Sequence, residues 1–178
     1  MNGPLKSIAV HEAGHAVAAI KQRIKLEGIT FTKQMSVQVS GLNVDATTNI
    51  DFQKASANES LKESCTRRAI CSMGGVAADA EIEAKEFWDA LLKQTDDLTR
   101  IVSLISCLAQ NKISDEEIAI WIRDSAVTAR DIAKQYRKEI ERVADLVLDN
   151  FSKGKTETTG ADIELIVQGN SSGTNLTT

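Results

Sequence analysis

The chain has 178 residues, 42% of them hydrophobic, 26% charged and 4% aromatic, with a single proline, Pro4. That is enough for one domain with an apolar core, and no apolar run approaches the length needed to cross a bilayer. Twenty-five acids against 21 bases leave a net charge of −4 and no basic stripe to neutralise phosphates, which excludes nucleic acid as a main partner.

In chain order, residues 5–24 are apolar-periodic and rich in alanine, which predicts a helix. Ile29 and Phe31, then Val37, Val39 and Leu42, alternate with polar neighbours, so two strands are expected with a turn at Lys33-Gln34. Residues 45–57 are polar and irregular and read as a surface loop. From Asn58 the stripe Leu61, Cys65, Ala69, Met73, Val76 and Ala80 predicts a second helix. Gly74-Gly75 inside it costs about 1 kcal/mol per glycine relative to alanine, which implies close packing against another backbone or a local kink.

Residues 87–92 read as a short helical or irregular connector, and residues 94–110 as a third helix with Leu98, Ile101, Ile105 and Leu108 apolar. Ser114 with Glu117 makes a capping box opening a helical region to about Asn150, as one helix or two. A short helix over 160–167 precedes a polar tail, 169–178, read as disordered. The fold class is therefore mainly α with a small inserted β-sheet, an α+β fold in which residues 1–168 form one domain. Its C-terminal half is a helical bundle. The leading residues show no export signal, and Cys65, Cys71 and Cys107 lack metal-knuckle or redox spacing. Both features predict a cytoplasmic protein with reduced, packed thiols and no membrane insertion.

The chemistry concentrates in the first helix. The only two histidines, His11 and His15, stand four apart with Glu12 between them in His-Glu-Ala-Gly-His. Residues four apart share a helical face, so both imidazoles can grip one ion, and Glu12 is placed to take a proton from water. The alternative is a pair of surface histidines on an amphipathic helix. A catalytic zinc site takes three protein ligands, and with no histidine left the third must be Asp, Glu or Cys. Asp97 shares its stripe with Ile101, Ile105 and Leu108, so it faces the core, where a carboxylate needs a partner. It can equally be read as an acid complementing the helix dipole. Asp79 is the next candidate, better suited to orient a histidine from behind. The cysteines fit packing better than ligation.

His11 to Ala16, then Gly74-Gly75-Val76-Ala77-Ala78-Asp79, then Asp96-Asp97-Leu98 resemble, in order, the peptidase domain of the FtsH family of membrane-bound AAA zinc proteases. The resemblance runs from residue 8 to about 167. It implies a zincin-like active-site helix, zinc on His11, His15 and Asp97, and Glu12 as the catalytic base. Asp79 stands where the family has a glutamate, and Lys93-Gln94-Thr95-Asp96 replaces its Gly-Ala-Ser-Asn. The family's ATPase module and transmembrane segments have no counterpart. Gly154-Lys155-Thr156 is not a Walker A end, because the required first glycine is Asp149 and no strand is expected before it.

The expectation is an ATPase-free zinc endopeptidase acting on unfolded proteins or peptides, alone or with an ATPase supplied in trans. Its substrate would lie extended along the sheet edge over residues 35–44. The oligomeric state stays open. The rival reading is a catalytically silent zinc-binding interaction or regulatory module on a protease fold, and the third is a helical domain without metal.

Overall fold

Alanine dominates the first helix, α1 (Pro4–Lys21), and has the highest helix propensity. Pro4 sits in its first turn, where a missing N–H costs nothing. Ten consecutive or near-consecutive residues from Ala9 to Ala19 are buried, so α1 is enclosed rather than one-sided. It is the central element, with helices and sheet packed around it. The structure is a computed structural model that describes residues 3–35, 42–51 and 59–169.

After a left-handed Arg23 the chain enters β1 (Lys25–Met35), paired antiparallel with β2 (Leu42–Asp51). A short β3 (Glu157–Thr159) joins the other side of β1, giving the order β2-β1-β3 with β2 at an edge. Ile29 and Phe31 alternate inward and are fully buried, each contributing roughly 1.5–3 kcal/mol relative to exposure.

Two expectations are corrected here. Lys33 and Gln34 are not a turn; they pair with Val44 and Asn43 inside the ladder. A Lys-Gln step carries none of the Gly, Asn or Asp that tight hairpin turns require. Residues 45–51 are likewise strand rather than loop, because β-branched Thr47 and Thr48 suit a pleated surface despite their polarity. Val37, Val39 and residues 52–58 lie outside the described residues.

The second helix, α2 (Leu61–Glu83), begins at a capping box of Ser60 and Glu63. Gly74 makes the close approach that its position implied. A Cβ there would meet the Gly14 carbonyl oxygen at 2.7 Å, and one on Gly14 would meet the Gly74 oxygen at 2.4 Å. Backbone touches backbone where α1 crosses α2, which no larger residue permits.

The connector at 87–92 is a helix, α3 (Phe87–Lys93), followed by α4 (Thr95–Gln110). The Ser114–Glu117 capping box is present and opens α5 (Asp115–Gln135). A break at Tyr136, neither glycine nor proline, separates it from α6 (Arg137–Ser152). There Lys21 Nζ sits 3.9 Å from the centre of the Tyr136 ring, tying the break to the end of α1. The last helix, α7 (Gly160–Gln168), is N-capped by Thr159. One main core runs from Ala9 to Val167, with a smaller cluster around Cys65, Leu108 and Trp121. Residues 170–178 of the expected tail lie outside the described residues. Among the described residues no helix is long and apolar enough to cross a membrane.

Candidate metal centre

Helical spacing on α1 turns His11 and His15 to one side, with their Nε2 atoms 3.1 Å apart. Opposite them lies Gly75 of α2, whose missing side chain makes the room. A Cβ on Gly75 would stand 2.5 Å from His15 Nε2 and 2.6 Å from His11 Nε2. The third side comes from the first turn of α4. Asp97 is 3% exposed there, while its neighbour Asp96 faces solvent. Asp97 Oδ2 is 3.1 Å from His11 Nε2, and Oδ1 is 3.4 Å from His15 Nε2. Burial and convergence therefore separate Asp97 from a solvated helix-dipole acid.

The proton positions follow from the partners. His15 Nδ1 lies 2.7 Å from the Cys71 carbonyl, which can only accept, so this nitrogen carries the hydrogen. The Gly75 amide at 3.3 Å from the same nitrogen is the longer contact and does not alter the assignment. His11 Nδ1 donates to Asp79 Oδ2 at 3.0 Å, so Asp79 contacts the ring on the side away from the cluster of Nε2 atoms. In the neutral tautomers both Nε2 lone pairs then point inward, at each other and at the Asp97 carboxylate. With the rings in that state Asp97 Oδ2 is buried and accepts no hydrogen bond. Three acceptors thus converge with no donor among them, an arrangement that asks for a cation.

The spacing fits one. Ligands at 2.0–2.1 Å in a tetrahedral zinc site stand about 3.3–3.4 Å from one another, against the 3.1–3.4 Å found here. His11, His15 and Asp97 form a group that could hold a metal ion. Without one, the same convergence holds a proton. Burial alone would lower the His11 pKa, but hydrogen bonds to Asp79 and Asp97 override it and raise it to about 10. Burial likewise pushes the Asp97 carboxyl up, and the His15 and His11 imidazoles overcome that and hold it well below the carboxylate range.

Glu12 faces the same open cleft of about 250 Å³, with Ser7, Thr48, Lys85, Gln94 and Arg100 around it. Its Oε2 accepts a hydrogen bond from the Thr48 hydroxyl at 2.6 Å. Thr48 was not legible as a site residue, because Thr47-Thr48 looks like any polar segment and its partner is 36 residues away. Arg100 Nη1 stands 3.8 Å from Asp97 Oδ1 but is half exposed, so it competes weakly for that oxygen. All five residues named from the sequence, His11, Glu12, His15, Asp79 and Asp97, meet in this cleft. No protein-family model matches the sequence, and a search of curated proteins finds no significant match.

Proposed function

We propose that the chain is a zinc-dependent endopeptidase with His11, His15 and Asp97 as ligands and Glu12 as the base, similar to the FtsH peptidase domain. The observation that carries the reading is the inward convergence of two Nε2 lone pairs and a buried carboxylate beside a second, cleft-facing carboxylate. Bound zinc would supply Lewis acidity and lower the pKa of a coordinated water towards neutrality. Two imidazoles and one carboxylate suit zinc among the common ions, and an all-oxygen site would suit magnesium or calcium instead.

In this reading Glu12 accepts the proton of the attacking water and passes it to the leaving amine. Asp79 and the Cys71 carbonyl keep both imidazoles in the tautomer that leaves Nε2 free. Of the edge expected over residues 35–44, residues 36–41 lie outside the described residues; in this reading a substrate lies extended against β2, whose Ala46, Thr47 and Thr48 line the cleft, by adding a strand to the edge. Main-chain bonding of that kind selects unfolded segments over particular side chains. Folded proteins would need an ATPase in trans.

The test is incubation of the zinc-loaded chain with casein beside its Glu12→Gln variant. The parent cleaves and the variant, still holding zinc, does not. Zinc bound by both without cleavage by either would instead favour an interaction module.

A further inference from the structure

We propose that Thr48 is a positioning residue for Glu12. Its hydroxyl fixes one carboxylate oxygen so that the other faces the metal centre, and it ties the base to the strand on which a peptide would be laid. The inference rests on Glu12 being the base, and its structural half stands apart from that reading.

A glutamate carries three side-chain torsions, and one on a helix next to His11 has no intrinsic reason to face the cleft. Glu12 is buried, so its carboxylate needs a donor in exchange for lost water. Thr48 supplies it from another element. Its Oγ1 lies 2.6 Å from Glu12 Oε2 and 2.9 Å from the Glu12 carbonyl oxygen. A hydroxyl has one hydrogen, and the shorter contact to the charged acceptor takes it.

The donor is well fixed. Thr48 is 8% exposed, β-branched, and paired with Ile29 in the centre of the β1–β2 ladder. The hydroxyl therefore reports the position of β2 to the carboxylate. With Oε2 held, Oε1 is the oxygen left to meet water in the cleft. Because β2 is an edge strand and lines that cleft, whatever orders its edge also orders the base. Substrate docking and base alignment become one event, which is what orientation of a catalytic group requires.

The test uses Thr48→Val, which keeps the shape and strand preference but loses the hydroxyl, and Thr48→Ser, which keeps the hydroxyl. Zinc affinity, kcat and KM on an unstructured peptide, and unfolding midpoints in a cycle with Glu12→Ala are measured on the full chain. Thr48→Val is expected to lower kcat about tenfold with zinc affinity and KM unchanged. Thr48→Ser is expected to stay within about twofold of the parent. In the cycle, the midpoint shift of Thr48→Val shrinks when Glu12 is already alanine. Additive midpoint shifts overturn the hydrogen-bond link, and an unchanged kcat in Thr48→Val overturns the positioning role. If the zinc-loaded parent cleaves nothing, the peptidase reading fails, and the cycle still decides whether Thr48 holds Glu12.

Discussion

Substituting Gly75 by alanine should weaken metal binding more than it weakens the fold. The new Cβ would stand 2.5 Å from His15 Nε2, 2.6 Å from His11 Nε2 and 2.7 Å from His11 Cε1. Those approaches are roughly 0.8 Å short of ordinary contact. The obstructed atoms belong to side chains, so the rings swing aside and the fold survives. Turning two imidazoles off their rotamers and away from Asp79 and the Cys71 carbonyl costs about 2–3 kcal/mol in the metal-binding arrangement. That corresponds to about 30- to 150-fold weaker zinc binding. The metal-free fold loses the same ring contacts to Asp79 and the Cys71 carbonyl, offset by up to about 1 kcal/mol of helix propensity, so its stability should fall by about 1–2 kcal/mol, less than the loss in zinc binding.

Gly14→Ala is the contrast. Its Cβ would meet the Gly74 carbonyl oxygen at 2.4 Å, a backbone atom that cannot rotate away. It should lower stability by about 3 kcal/mol. Competition titration of zinc into the metal-free chains and thermal unfolding in chelator measure both effects. Parent-like zinc affinity in Gly75→Ala would refute the geometry argued for the centre.

Five further outcomes follow from the structure. Asp97→Asn should lose zinc on dialysis while the parent keeps about one equivalent, and Asp79→Asn should bind zinc about 10- to 100-fold more weakly, both read by metal analysis. Because the His11 pKa is raised from 6.5 to about 10, its stabilisation of the metal-free chain is complete below pH 6.5 and lost as pH rises through 10. The unfolding midpoint in chelator should fall across that window. Zinc binding at pH 8 should release about one proton, detectable by calorimetry in buffers of different ionisation enthalpy. Burial pushes the Cys71 thiol up to about 12 and encloses Cys65, so Cys107 alone should react with a thiol reagent in the folded chain, and all three on unfolding.

The helices were legible because their signals are local. Alanine content marks α1, a four-and-three stripe marks α2, and the Ser114–Glu117 pair marks the start of α5. The site was legible for a related reason. His11, Glu12 and His15 belong to one helix turn, and the stripe of Ile101, Ile105 and Leu108 turns Asp97 inward. What could not be read depends on distant partners. β3 has three residues and exists because β1 offers it an edge. The break at Tyr136 has no breaker residue, and its ring packs against Lys21 at the far end of α1. Strand β2 extends through polar residues because pairing with β1, not hydrophobic alternation, sets its length. Thr48 has meaning only once that strand is laid beside Glu12.

The most direct test of the central claim is stepwise addition of zinc to the metal-free chain, with bound zinc and casein cleavage measured in the same samples. Cleavage should rise in proportion to bound zinc and level off at about one equivalent. Full cleavage before any zinc is bound, or bound zinc with no cleavage at any point, would contradict it.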